Sequence, residues 1–380
     1  MNYIFQCLII AGSIVSTLFA QTAQVRIIVD PQSTARYDSL RVFIAGNRNE
    51  LGMWDPRDVE LHHKDSVWIF KGDFLRNSKL EFKITAGDWN REAVYSAGIV
   101  PDNDTLTVVR DTTIILHPRM WKDQMQLSRS EKQIRGTVEY YRGMTGPGLH
   151  SKRDIIIWLP PSYDSLAKKR YPVLYMHDGQ NIFDPSTSFG GYDWRVDEVA
   201  DSLITLGKMN EIIIVGVYNT PDRLSEYSDS PLGEKYMQFI VKTLKPYIDS
   251  TYRTKKGSKN TAMMGSSMGG LISLIMAWKY PSVFGSAACL SPSFWYDDEK
   301  TLQNIRSDRR GKRAIRIYLD CGDKEKELLP GYRQMVTILK KKGYRKGVDL
   351  DYHIEKNGIH NERSWARRVW KPLLFLFGKN

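Results

Sequence analysis

A serine between two glycines is the residue best placed to do chemistry in this chain. The pentapeptide GSSMG spans 265–269 with Ser267 at its centre, after the apolar run 261–264 and before the helical pattern 270–278. This order is typical of a nucleophile elbow, where glycines let the backbone turn sharply and lift the serine Oγ into solvent at a helix N-terminus. Ser267 is therefore the predicted nucleophile.

A serine hydroxyl reacts only when a histidine removes its proton and a carboxylate orients that histidine. Two histidines follow Ser267 in the chain. His353 lies in an alternating, strand-like run, whereas His360 lies in the glycine-containing loop after that run and before a helical segment. A loop can carry an imidazole over a site, so His360 is the predicted base.

The acid is expected where an apolar strand at 314–319 ends, between the nucleophile and the base. Asp320 still belongs to the strand end, whereas Asp323 and Glu325 follow Gly322 and can point toward the next loop. We rank Glu325 first and Asp323 second. The alternative that these are solvated turn charges stays open.

Backbone amides must stabilise the oxyanion that forms when a serine attacks an ester. The Met268 amide follows the nucleophile, and the Gln180 amide lies in a glycine turn after the apolar segment 171–176. His177 and Asp178 share that turn and are predicted to contact substrate. They form an ordinary turn in the alternative interpretation.

Aromatic side chains in the loops around this edge are predicted to line the pocket. The candidates are Trp194, Tyr227 and Trp295, and each has a place in the core as its alternative. Arg223 is predicted to contact substrate or to close a loop by pairing with Glu226. Bracing of that loop is the alternative.

The elements that position these residues are strands and helices in alternation. Continuous apolar strands separated by helical patterns, such as 194–206 and 332–342, predict an α/β fold with a doubly wound, mostly parallel sheet covered on both faces. The carboxyl ends of such strands meet at one edge, where the candidate site falls. The preceding third instead has short alternating runs with turn residues between them, which predicts a small all-β sandwich.

Length and composition divide the chain further. At 380 residues, 42% hydrophobic and 26% charged, it is long enough for two domains. The predicted organisation is a signal peptide at 1–20, a β-sandwich at 21–118, a linker at 119–135 and the α/β domain at 136–380. We therefore expect a periplasmic or secreted protein, with an uncleaved membrane anchor as the alternative and no later membrane span.

Charge and cysteine content exclude other classes of function. The formal net charge is +12, but the basic residues are dispersed, which argues against nucleic-acid binding. Of three cysteines, the two after the signal segment are predicted to be buried thiols. The chain lacks zinc-ligand spacings and His-Glu-x-x-His, so we expect no metal and no cofactor.

Several stretches together resemble the esterase branch of the α/β-hydrolases, which includes feruloyl and acetyl-xylan esterases, siderophore esterases and mycolyltransferases. The resemblance runs from about 136 to 378. It rests on these segments: 155–163, 171–184, 213–217, 223–227, the elbow at 265–269 and 358–360. In that family the acid commonly stands three residues after the glycine that ends its strand, which falls on Glu325, where aspartate is the usual residue.

The resemblance and the predicted triad together imply a serine esterase, and the predicted export and possible glycan module favour acyl or feruloyl esters of carbohydrate as its substrates. A siderophore esterase or an acyltransferase with the same site is the alternative, and a non-catalytic glycan-binding protein is the alternative of another class. Segments 45–54 and 82–92 resemble starch-binding modules and related early-set β-sandwiches. By that resemblance Trp54, Lys83 and Trp89 would bind glycan, because an indole stacks on a sugar ring; a spacer domain is the alternative.

Overall fold

The computed structural model describes residues 22–31, 40–95, 101, 103–124 and 134–379. The predicted signal peptide and the middle of the predicted linker lie outside these residues. The chain divides into two compact units, 1–97 with 101–125 and 98–100 with 126–380. The main division, after Met125, falls within the segment predicted as a linker.

The first unit is built from short strands in two four-stranded sheets and one two-stranded sheet. The sheet orders are β4-β5-β1-β9, β3-β2-β6-β8 and β10-β7, and among the described strands of this unit only β1 and β9 pair in parallel. The strands are β1 Thr22–Val29, β2 Phe43–Gly46, β3 Val59–Glu60, β4 His62–Lys64, β5 Val67–Leu75, β6 Lys79–Thr85, β7 Ala93–Val94, β8 Asp104–Thr107, β9 Thr112–Leu116 and β10 Met120–Trp121. Alternate residues of β1 and β5 bury into one apolar core with β2 and β6, as expected of a β-sandwich.

The second unit is built around an eight-stranded sheet of order β11-β12-β14-β13-β15-β16-β17-β18. The strands are β11 Thr137–Met144, β12 Arg153–Leu159, β13 Val173–His177, β14 Ile213–Val217, β15 Thr261–Ser266, β16 Ser286–Leu290, β17 Arg316–Gly322 and β18 Leu350–Glu355. Pairing is antiparallel from β11 to β14 and parallel from β14 to β18. The predicted mostly parallel sheet is confirmed.

Helices follow most of the parallel strands. They are α1 Val196–Thr205, α2 Arg223–Glu226, α3 Pro231–Phe239, α4 Lys245–Thr251, α5 Met268–Lys279, α6 Tyr296–Ser307, α7 Leu329–Lys341, α8 Glu362–Ala366 and α9 Trp370–Phe377, with a π-helical turn Ile240–Leu244 before α4. Separate apolar clusters cover the two faces of the sheet, which explains why its central strands are apolar at nearly every position.

The structure also describes the state of two cysteines and the helices that could be tested as membrane spans. Cys289 and Cys321 are free and buried, which confirms the predicted pair of thiols. Within the described part of the chain, none of the helices combines the length and apolar character that a bilayer crossing requires.

Candidate active site

The turn between β15 and α5 holds Ser267 in a conformation that few side chains adopt. Its φ is 55° and its ψ is −124°, which is strained for a residue with a Cβ. A Cβ on Gly265 would lie 2.6 Å from the carbonyl carbon of Gly269, so the turn closes only with glycine there. The Ser267 N–H donates to the Leu290 carbonyl at 2.9 Å, which fixes the turn against β16.

His360 lies between Ser267 and Glu325 and bonds to both. Its Nε2 is 2.9 Å from the Ser267 Oγ, and its Nδ1 is 2.7 Å from the Glu325 Oε1. The predicted nucleophile, base and acid are thus brought together from three loops at the carboxyl edge of the sheet. Asp323, the alternative acid, makes no hydrogen bond to His360, and its Oδ1 is buried without a partner.

Glu325 is buried but remains ionised. Its second oxygen, Oε2, accepts hydrogen bonds from the Gly322 N–H and, at 2.7 Å, from the Ser291 Oγ. Burial opposes ionisation, yet the bonds from His360, Gly322 and Ser291 outweigh it and lower the pKa of the carboxyl to about 2. An ionised carboxylate only accepts, so the His360 Nδ1 carries the proton and the Nε2 is free to accept one.

A buried arginine supports the acid through Ser291. Arg368 is fully buried, and its guanidinium pairs with Asp320 and donates to the Ser291 Oγ at 2.8 Å. Trp365 donates to the same Oγ at 3.1 Å. Because both neighbours only donate, Ser291 must direct its own proton to Glu325.

The two predicted oxyanion donors lie in neighbouring loops. Met268 is the first residue of α5, and the amides of a first helical turn have no acceptor within the helix. Gln180 lies in a short 3₁₀ turn, Gly179–Asn181, directly after β13. A Cβ on Gly269 would be 3.2 Å from the Cβ of His177, so the end of β13 lies against the start of α5.

Four of the residues predicted to contact substrate are buried, and the structure corrects their role. They are His177, Asp178, Trp194 and Tyr227. His177 is 1% exposed and bonds to Tyr236 through Nδ1 at 2.8 Å, and Trp194 packs on Trp365 with ring centroids 5.6 Å apart. Tyr227 is fully buried, and its hydroxyl oxygen accepts the N–H of Asp178. Because these side chains have almost no exposed surface, they position the loops and do not contact substrate.

Arg223 pairs with Asp178, not with the predicted Glu226. Its Nε and Nη2 lie 2.7 and 2.8 Å from the two Asp178 oxygens, whereas Glu226 pairs with the buried Arg153. Burial opposes ionisation of Asp178, but Arg223 and Asn219 hold its pKa below the usual value. This ion pair fixes the turn that carries Gln180. Trp295 is partly exposed before α6, and its place as a pocket wall stays a prediction.

Two serines and an arginine at the site were missed from the sequence. Ser291 and Ser293 follow β16 directly, and Ser293 Oγ lies 3.1 Å from Ser267 Oγ. The signal available was their place at the end of a strand adjacent to β15, because such residues share the edge that carries the nucleophile. Nothing in the local sequence marks Arg368 as buried.

In the first unit, the predicted glycan-binding residues differ in exposure. Lys83 is buried, pairs with Glu92 at 3.0 Å and donates to the Pro101 carbonyl at 2.6 Å. That ammonium stabilises the fold, which corrects its predicted contact with glycan. Trp54 and Trp89 are partly exposed, and their role stays a prediction.

One group of carboxylates among the described residues is close enough to hold a metal ion. Asp193, Asp197 and Glu198 offer oxygens that all lie within 4.8 Å of one another. Burial, together with Glu198 beside it, raises the pKa of Asp197 to about 8. The raised pKa favours a protonated Asp197, which lessens the repulsion among the three carboxyl groups. The expectation that the chemistry needs no metal stays a prediction.

Comparison with known proteins places this geometry in a family context. The profile of the family described as "Putative esterase" matches residues 146–376, which include Ser267, Glu325 and His360. The chain is 26% identical over 249 residues to the uncharacterized protein YbbA of Bacillus subtilis, across 60% of this chain and 94% of YbbA. It is 28% identical over 228 residues to an endo-1,4-beta-xylanase/feruloyl esterase of Xylanibacter ruminicola, across 58% of this chain and 29% of that protein.

A solved structure matches a larger part of the chain. The enterobactin esterase of Shigella flexneri superposes with a TM-score of 0.56 at 16% identity, covering 93% of this chain and 92% of its own. At this identity the likeness concerns the fold. It extends over both units.

Proposed function

The chain belongs to the "Putative esterase" family of the α/β-hydrolases, and we propose that it hydrolyses carboxylic esters with Ser267 as nucleophile, His360 as base and Glu325 as orienting acid. One observation carries this proposal: a continuous hydrogen-bonded chain from the Ser267 Oγ through the imidazole to the Glu325 carboxylate. The strained turn under Ser267 supports it, because strain of this kind is retained where it serves a mechanism.

Acylation begins when the Ser267 Oγ attacks the ester carbonyl carbon and its proton passes to the His360 Nε2. Glu325 stabilises the imidazolium that forms. The tetrahedral intermediate collapses, the alcohol leaves with the proton from Nε2, and an acyl-enzyme remains. Water then gives a proton to Nε2 and attacks the acyl carbon, and the Ser267 Oγ regains that proton as the acid departs.

The oxyanion of each tetrahedral intermediate is assigned to the amides of Met268 and Gln180. The first lies at the N-terminus of α5, where the helix dipole adds a partial positive charge. The second is held by the Arg223–Asp178 ion pair in the turn after β13. Preorganised donors of this kind each contribute about 10²–10³ in rate.

Acyl or feruloyl esters on carbohydrate are the proposed substrates. The similarity to an endo-1,4-beta-xylanase/feruloyl esterase supports this class. The partly exposed Trp54 and Trp89 of the first unit are proposed to hold the glycan part. We further propose export to the periplasm or beyond, with removal of residues 1–20; the N-terminal residue of the mature protein tests this.

A siderophore ester is the second candidate substrate. It is favoured by the fold likeness to enterobactin esterase, because that likeness covers both units and not the catalytic unit alone. Transfer of the acyl group to an alcohol instead of water would use the same residues.

The first prediction is that Ser267→Ala lowers ester hydrolysis by about 10³-fold or more, since the nucleophile is lost. Rates are measured on p-nitrophenyl acetate, methyl ferulate and enterobactin, with Ser273→Ala as the matched control, because the Ser273 hydroxyl bonds only within α5. Faster turnover of methyl ferulate supports the carbohydrate ester, and faster turnover of enterobactin supports the siderophore. Activity that persists in the Ser267→Ala protein overturns the mechanism, and inactivity on every ester with retention on glucan favours a glycan-binding protein.

A further inference from the structure

A second serine lies against the nucleophile. Ser293 follows β16, and its N–H donates to the Ser267 carbonyl at 3.1 Å. Its Oγ lies 3.1 Å from the Ser267 Oγ. A backbone bond thus holds the same two residues together whose hydroxyls are in contact.

The directions of the hydrogen bonds follow from the number of protons available. The ionised Glu325 accepts the Nδ1 proton of His360, so the Nε2 carries no proton and accepts. The single proton of the Ser267 hydroxyl therefore goes to Nε2. Ser293 must then donate to the Ser267 Oγ, because Ser267 has no second proton to give.

The burial of Ser293 also indicates that its hydroxyl donates to the Ser267 Oγ. Ser293 is 2% exposed, and the Ser267 Oγ is the partner that the described structure gives its hydroxyl. A buried hydroxyl proton without an acceptor would cost about 1–3 kcal/mol. Donation to Ser267 removes that cost.

We propose that Ser293 is a further catalytic residue, a hydrogen-bond donor to the nucleophile oxygen that promotes departure of Ser267 from the acyl-enzyme. This rests on the proposed function of Ser267 as nucleophile. In the acyl-enzyme the Ser267 Oγ is an ester oxygen and accepts weakly. When the C–Oγ bond breaks, the electron pair returns to the Oγ, His360 returns the proton, and the donation from Ser293 strengthens as charge builds up. The Ser293 proton itself is not transferred.

Acylation and deacylation should therefore depend on Ser293 to different extents. The free enzyme already has the hydrogen bond, and this bond weakens as the Oγ becomes an ester oxygen, so acylation gains little from it. Deacylation runs the other way and gains a bond to an oxygen with increasing charge. Hydrogen bonds to charged groups correspond to about 10- to 100-fold in rate.

The test is burst kinetics with p-nitrophenyl acetate on the full chain carrying Ser293→Ala. We expect deacylation, read as kcat, to fall at least about tenfold, while kcat/KM changes by less than about threefold, so that KM falls and a burst of p-nitrophenol appears. Ser293→Cys, which keeps a weaker donor, should give an intermediate kcat. Ser273→Ala is the control for loss of a buried serine hydroxyl and should keep both constants.

Other outcomes overturn the inference. An unchanged kcat for Ser293→Ala, or equal losses in kcat and kcat/KM for both Ser293 variants, assigns Ser293 a structural role. Thermal unfolding of each variant separates loss of folded protein from loss of rate. If Ser267→Ala keeps its activity, the proposed function fails, whereas a normal Ser293→Ala protein beside an inactive Ser267→Ala protein defeats only this inference.

Discussion

Glu325 fills a position where aspartate is the usual residue, and its surroundings suit the longer side chain. Four donors contact its two oxygens: His360 contacts Oε1, and Ser291, the Gly322 amide and the Cys321 thiol contact Oε2. Because the two oxygens have different partners, the plane of the carboxylate is fixed and the imidazole keeps one tautomer. If Oε2 had no donors, the carboxylate could turn and would leave His360 free to rotate.

Replacement of the acid should therefore stop the reaction without unfolding the protein. Glu325→Gln keeps the size of the side chain but puts a donor beside the His360 Nδ1, and kcat/KM should fall by about 10³-fold or more. Asp323→Asn is the matched control, since Asp323 has no bond to His360, and its activity should stay within about twofold. A larger loss in the Asp323 variant would move the acid to that residue.

The three residues of the proposed triad could be selected from the sequence because each follows an element with a clear pattern. Ser267 has its glycine turn, and His360 follows an alternating strand. Arg368 could not be predicted, because its partner Ser291 lies 77 residues away and the local sequence does not indicate that an arginine is buried. Ser291 had a signal, its place at the end of a strand next to β15, but the bond to Glu325 joins residues 34 apart. The burial of Trp194 was also beyond prediction, since an aromatic residue in a loop suits a pocket and a core equally.

At the scale of elements, the loop after β18 reaches the acid only because two glycines meet. A Cβ on Gly358 would lie 2.7 Å from the Cα of Gly322, closer than side chains come. Lys324 donates its N–H to the Gly358 carbonyl at 3.1 Å, which joins the two loops. The separation of His360 from Glu325 is thus set by contact between backbones.

Gly358→Ala should lower activity by pushing these loops apart. We expect kcat/KM to fall by about 10- to 100-fold, because a displacement of about 1 Å at a catalytic group has this effect. The control is Gly207→Ala: Gly207 has a φ of +69° and no atom within 4 Å of the added methyl. That change should cost about 1–2 kcal/mol of stability from backbone strain and leave activity intact. Equal activity losses in both variants would contradict the steric argument.

Most elements of the sheet could be predicted, and the exception has a physical reason. The central strands are apolar at nearly every position because helices cover both faces. Strand β11 lies at the edge of the sheet, and most of its side chains are exposed or half-buried. It therefore lacks the apolar run by which the other strands were recognised.

At the scale of the whole molecule, the change from alternating to continuous apolar strands separates the two kinds of architecture. Alternation predicts a sheet with one buried face, and the first unit has its core between two such sheets. The sequence places the boundary after Met125 only to within the predicted linker. A charged segment of this kind has no apolar pattern from which the last packed residue of the first unit could be identified.

Acid should destabilise the second unit through His177. Burial lowers the pKa of this histidine to about 3, below its value of about 6.5 in an unfolded chain. Between these values the unfolded chain binds a proton that the folded chain does not, so stability falls as the pH falls, by up to about 1.4 kcal/mol per pH unit. Glu325 adds to the loss below about 4.5, since its pKa is also lowered.

Urea unfolding from pH 7 to pH 4 checks this expectation. As the pH falls, the midpoint of the unaltered protein should fall relative to that of His177→Gln, whose amide can still hydrogen-bond to Tyr236. The raised pKa of Asp197 acts in the opposite direction but is common to both proteins. His150→Gln is the control, because the side chain of His150 is exposed. Equal slopes in all three proteins would contradict a neutral, buried His177.

The position of His360, 93 residues after Ser267, also matters during synthesis. A nascent chain completes the nucleophile's strand and turn well before the ribosome has joined the imidazole and Arg368 to it. Until then the hydroxyl has no base, and Glu325 lacks the support of the buried guanidinium. On the proposed mechanism, unfinished or prematurely ended chains are therefore unable to attack esters.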